Sequence, residues 1–192
     1  MKKLISAVLI ILLATTFIAV MPTEAEGAIY GDTVRLHILA SSDSEEDQAL
    51  KIKLRDAVLS EYGESLSLFE SVEDARCGLY GRLDEIREFA DGKIQELGYE
   101  YKTEVTLTEE WYETRDYGDF SLPCGYYTSL RIIIGEGEGQ NWWCVMFPPM
   151  CTEIAASDKK VSYTEAEKGL VAGGKYRLKF KTLELINEYF FK

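Results

Sequence analysis

Histidine is nearly missing: the 192 residues contain one, His37. Any mechanism that needs an imidazole has to use that residue, and a mixed cysteine–histidine zinc site has too few ligands. The four cysteines, Cys77, Cys124, Cys144 and Cys151, lack paired CxxC spacing as well. There is no Walker lysine, no GxSxG, no HExxH and no Asp-[Ser/Thr]-Gly, which removes the common phosphate-loop, hydrolase and protease signatures. No internal repeat and no low-complexity linker interrupts the chain. Basic charge is also scarce, with 21 Lys and Arg against 33 Asp and Glu, for a net charge of −12. Such a surface repels phosphate backbones and anionic headgroups, so neither nucleic acid nor a lipid surface is expected as a partner of the folded body. No cofactor, metal or small-molecule substrate is expected either.

What is present begins with an export pattern. Lys2 and Lys3 precede an uncharged apolar run from Leu4 to Val20. Pro22 ends the run, and Thr23-Glu24-Ala25 offers small residues at the usual cleavage spacing. As a helix the run would reach roughly 25 Å, short of a comfortable bilayer span. Residues 1–25 therefore read as a signal peptide cleaved after Ala25, with an uncleaved anchor as the alternative. In the second case membrane contact is limited to residues 4–20. The two lysines stay on the inner side, and the remainder lies outside the cytoplasm. Residues 26–32 read as a spacer and 33–192 as one domain, and an exported domain can keep disulfides.

Within 33–192 the apolar period changes several times. Val34, Leu36, Ile38 and Ala40 alternate as in a strand. Ser42, Asp43 and Ser44 are good N-caps, Ser44 with Asp47 resembles a capping box, and Leu50, Leu54, Ala57 and Val58 form a helical stripe that Gly63 is placed to stop. A second helix is predicted over Ser71 to Leu97, weakened by Gly78, Gly81 and Gly92. From Tyr101 the period is two. Trp111 to Tyr117, Gly125 to Ile134 and Trp142 to Phe147 read as further strands, the last two as a hairpin around Gly135, Gly137 and Gly139. A helical run follows from about Lys175. The fold class expected is α+β: a single domain with an antiparallel or mixed sheet of about five strands and about three helices.

Candidate chemistry is thin. Asp43, Glu45 and Asp47 alternate like an EF-hand start, but Gln48 and Leu54 stand where glycine and glutamate are needed, and helix capping explains the acids. Glu136 and Glu138 make the glycine turn repel phosphate. His37 has no nucleophile beside it in sequence, and Cys144 has no feature that would lower its pKa. In the hairpin register, Ile134 faces Trp142, and extending it sets Cys124 opposite Cys151. A Cys124–Cys151 disulfide is therefore expected, with Cys144 a buried thiol. Trp142 and Trp143 fall on opposite faces of their strand, and an exposed tryptophan suits a binding hot spot.

Several segments resemble the stage II sporulation protein R family of endospore-forming bacteria. They are Arg35-Leu36-His37-Ile38-Leu39-Ala40-Ser41-Ser42-Asp43-Ser44, then Glu46 to Lys51 and Arg55-Asp56-Ala57-Val58. Downstream come Cys124-Gly125-Tyr126, Leu130-Arg131-Ile132, and Asn141-Trp142-Trp143-Cys144-Val145 leading to Phe147-Pro148-Pro149. The family usually has Asn where this chain has Ser41, which keeps the capping chemistry. The resemblance implies a protein that is no enzyme. It is exported from the forespore into the space between forespore and mother-cell membranes. There it triggers a membrane-embedded aspartic protease, the stage II sporulation GA protein, which processes the sigma-E precursor. Candidate partner contacts are Arg35, His37, Asp43, Arg55, Asp56, Arg131, Trp142 and Trp143. The alternative is an exported hydrolase of cell wall or peptide, which would need Asp43 with Asp47, or Cys144 with His37, convergent in a cleft.

Overall fold

The computed structural model describes residues 2–21, 23–117, 121–148 and 177–190. The class is α+β, as the periodicities require, with a mixed four-stranded sheet and six helices among the described residues. The chain divides into two compact units: Met1–Ile29, Trp111–Gly125 and Tyr163–Lys192 make one, and Tyr30–Glu110 with Tyr126–Ser162 the other.

The larger unit is built on β1 (Val34–Leu39), α3 (Glu45–Ser67), α4 (Val72–Tyr80), α5 (Leu83–Glu96), β2 (Thr103–Tyr112), β5 (Gly125–Ile134) and β6 (Asn141–Phe147). Ser44 caps α3 as expected, its Oγ accepting the Asp47 N–H at 3.1 Å. The helix does not stop at Gly63. Tyr62 and Leu66, which flank that glycine, are 4% and 2% exposed, and Tyr62 meets Phe89 edge-on at 5.6 Å. Core packing carries the helix across a residue whose own propensity would end it. The single helix expected over 71–97 is two, broken at Gly81 and Arg82, where the weak helix former Gly81 does not hold a continuous ladder. A Cβ at Gly78 would strike the Phe69 ring.

The sheet order is β2-β5-β1-β6. β1 runs parallel to β5 and antiparallel to β6. The hairpin expected from Gly125 to Phe147 is therefore corrected: β1 lies between its two arms. The loop Gly135–Gln140 crosses over the end of β1, where Gly139 and Glu138 donate backbone N–H bonds to Ala40 and Ser41. Gly135 and Gly137 take positive φ, and a Cβ on Gly139 would run into the Ser42 carbonyl. Three glycines serve a close crossing rather than a tight two-stranded turn.

That topology also removes the register on which the Cys124–Cys151 disulfide was expected, because two strands with a third between them stand about 9–10 Å apart. Cys124 is a free, buried thiol, while Cys144, expected as a thiol, is disulfide-bonded. Cys151 lies outside the described residues. One face of the sheet packs Val34, Leu36, Ile38, Leu130, Ile132 and Cys144 against Leu50, Leu54, Val58, Leu79, Ile86 and Ile94 of the three helices.

The smaller unit contains α1 (Lys2–Val20), the start of α2 (Glu24–Gly31), the β3 (Arg115–Asp116) and β4 (Ser121–Leu122) ribbon, and α6 (Arg177–Phe190). The stretch read as a spacer is helical in α2, and the strand expected over Trp111–Tyr117 is divided between the end of β2 and β3. Glu184 of α6 accepts the Thr114 N–H at 2.8 Å. In α1, Leu4, Ile5, Val8, Leu9 and Leu13 are all exposed. Among the described residues no helix is long and apolar enough to cross a membrane.

Candidate functional site

Strand alternation assigns the site. Val34, Leu36 and Ile38 face the helices, so Arg35 and His37 face the other way. In register with His37 stand Arg131 on β5 and Trp143 on β6, and with Arg35 stand Ser129 and Val145. The face opposite α3, α4 and α5 thus carries a row of Arg131, His37 and Trp143 over a buried row of Ser129 and Arg35.

Glu110, at the far end of β2, completes the arrangement and was missed from the sequence. His37 Nδ1 is 3.1 Å from both Glu110 carboxylate oxygens. His37 Nε2 is 2.7 Å from Asn141 Oδ1, and the Trp143 ring centroid is 5.5 Å from the imidazole. Arg131 Nε approaches the same carboxylate at 3.4 Å. Burial alone would raise the Glu110 carboxyl, but hydrogen bonds from His37 and Ser129, with the charges of His37 and Arg131, hold it below the usual carboxylate range. The available signal was the solitary histidine itself, whose ring requires partners, and the parity of Glu110 with the polar positions Glu104 and Thr106 on the same strand.

Chemically the row is closed. Both imidazole nitrogens are engaged. Ser129 hydrogen-bonds to Glu110, whose carboxylate also faces His37, an order of serine–glutamate–histidine, whereas acyl transfer needs the histidine in the middle. Cys144 registers with Leu36 on the core face and His37 with Trp143 on the other, so the Cys144 sulfur and the imidazole lie on opposite sides of the sheet. Among the described residues no group of three metal-ligating side chains forms.

The remaining candidates fall elsewhere. Arg35 is fully buried, its guanidinium 5.0 Å over the Tyr127 ring. Arg55 sits 4.9 Å over the Trp142 ring and pairs with Asp56 at 2.6 Å, so this trio lies on the helical side. Asp43 accepts the Gln140 N–H at 2.8 Å, and Lys51 Nζ donates to the Gln140 carbonyl at 2.7 Å. Burial lowers the Lys51 ammonium against the opposing charge of Asp43. Asp43 and Lys51 therefore clamp the glycine crossing, while Asp47 is tied to Ser42; the two aspartates do not form a catalytic pair.

By class, this is an α+β domain with a helix-backed mixed sheet whose other face carries an engaged polar row. Residues 31–157 match the family described as Stage II sporulation protein R. The Stage II sporulation protein R of Bacillus subtilis (strain 168) is 36% identical over 145 residues, covering 71% of this chain and 65% of that protein. The chain belongs to the stage II sporulation protein R family. It spans about two thirds, 65%, of that relative's length, and no solved structure matches it.

Proposed function

We propose that this protein is an exported intercompartmental signal of endospore formation, which binds and activates the membrane-embedded aspartic protease that processes the sigma-E precursor. The carrying observation is the family match over 31–157, which takes in β1, the helix layer, β2, β5 and β6 together with the row around His37. The family's printed name describes a sporulation protein and no enzyme. The closed order of Ser129, Glu110 and His37 agrees with a surface that is read rather than one that turns over. Lys2, Lys3 and the exposed apolar α1 support export, which delivers the domain to the intermembrane space. Activation needs only that the domain bind the active state of the protease better than the inactive one.

The test is co-expression of the full chain, the protease and the sigma-E precursor in a bacterium that lacks all three. Shortening of the precursor is expected only when all are present and the chain is exported. An intact precursor despite verified export, or a purified chain that hydrolyses wall or peptide substrates unaided, overturns the reading.

A further inference from the structure

We infer that Arg131 is the seat for a carboxylate of the partner, with Trp143, beyond His37 in the same row, as the apolar contact; this rests on the proposed signalling function and names the chemistry it recognises.

The row Glu110, Arg131, His37 and Trp143 crosses all four strands on one face. The side chains of His37 and Glu110 are 10% and 18% exposed, and that of Arg131, between them in the row, is 36% exposed. The Glu110 carboxylate is committed to His37, at 3.1 Å from each oxygen, and to Ser129. Arg131 receives what is left, a 3.4 Å ion pair through Nε. That Nε is a buried donor without a hydrogen bond, and among the described residues the guanidinium makes none at all.

A guanidinium has five donors arranged as a fork that matches a carboxylate. One held beside an already engaged acid, part open to solvent, has its hydrogen-bonding capacity unspent. The net charge of −12 does not oppose an acidic partner here, because screening confines surface charges to about 8 Å at physiological salt. Within that radius the local groups decide. Trp143, on the far side of His37 in the same row, adds the aromatic surface that accompanies arginine in binding hot spots. A partner segment bearing Asp or Glu beside an apolar residue fits this row, whereas a basic partner does not use it.

The test uses the same co-expression system, reading the amount of exported chain needed for half-maximal precursor cleavage. Arg131→Glu is expected to raise that amount by about tenfold or more, and Arg131→Lys, which keeps charge but loses the fork, by less. Lysine is then placed singly at each acidic residue of the protease's exported segments, and one such change is expected to restore Arg131→Glu while impairing the wild-type chain. If Arg131→Glu fails to fold, judged by its melting curve, Arg131→Gln takes its place. A variant that signals like wild type, or an impaired one that no charge swap restores, overturns the inference while leaving the signalling role standing. Failure of the wild-type chain itself removes the proposed function instead.

Discussion

His37 reaches Glu110 across an intervening strand: β1 and β2 flank β5, yet the imidazole Nδ1 is 3.1 Å from both carboxylate oxygens. Strands two places apart stand about 9–10 Å from each other, so two side chains leaning toward one another span the gap. They tie three strands together on the face opposite α3, α4 and α5. That contact supplies the first testable consequence.

Replacing Glu110 by Gln removes the charge that His37 and Arg131 face and is expected to destabilise the fold by about 1–3 kcal/mol at neutral pH. A carboxyl depressed in the folded state stabilises above its unfolded value, about 4.3 for glutamate, and that stabilisation is lost as pH falls through the lower folded value. The difference between wild type and Glu110→Gln should hold from pH 7 to about 5 and then close on further acidification. Urea melts at a series of pH values measure it. A gap that persists unchanged to pH 3 would show that the carboxylate's charge is not what stabilises the row.

The glycine crossing separates two kinds of glycine. A Cβ on Gly139 meets the Ser42 backbone and the Ala40 side chain, so Gly139→Ala is expected to cost about 1–3 kcal/mol through overpacking. Gly92, inside α5, has open space where a Cβ would stand, with nothing within 4 Å, and Gly92→Ala is expected to gain up to about 1 kcal/mol from helix propensity. Opposite shifts in melting temperature check the pair. Equal shifts would mean that the crossing yields to a side chain.

How much of this was legible follows from the range of each interaction. The Ser44–Asp47 cap, the alternation of β1 and the opposite facing of Trp142 and Trp143 are local, and each appears in the sequence as it does in the fold. The position of β1 between β5 and β6 is not local. A glycine-rich loop from Gly135 to Gln140 suits a hairpin as well as a crossing, and only the backbone bonds to Ala40 and Ser41 distinguish them. The disulfide expectation failed with the hairpin on which it stood. Glu110 escaped notice because its partner lies on a strand far away in sequence, and Arg35 was taken for a surface contact because a charge in a strand usually is one.

Thiol reactivity gives an independent check of burial. Cys77 is exposed and Cys124 buried. Burial pushes the Cys124 thiol up to about 11, with Glu184 and Glu26 adding to the rise and a Thr114 hydrogen bond opposing it. Alkylation by iodoacetamide at pH 8, followed by peptide mass mapping, should modify Cys77 first and Cys124 only after denaturation. Labelling of both at one rate in the native protein would contradict the packing around Cys124.

Arg35 and Asp56 test whether a candidate contact is structural or is read by a partner. Arg35 is fully buried over Tyr127, so Arg35→Ala is expected to destabilise by about 3 kcal/mol or more, and lost signalling should track lost folded protein. Asp56 has a 61% exposed side chain paired to Arg55, and surface pairs of this kind are worth about 0–1 kcal/mol. Asp56→Ala should therefore melt within a few degrees of wild type, about 2–4 °C per kcal/mol at this chain length. Signalling lost from that variant at normal stability would mark Asp56 as a partner contact. An Arg35→Ala protein that melts like wild type yet fails to signal would reverse the assignment, making the buried guanidinium part of the recognised surface.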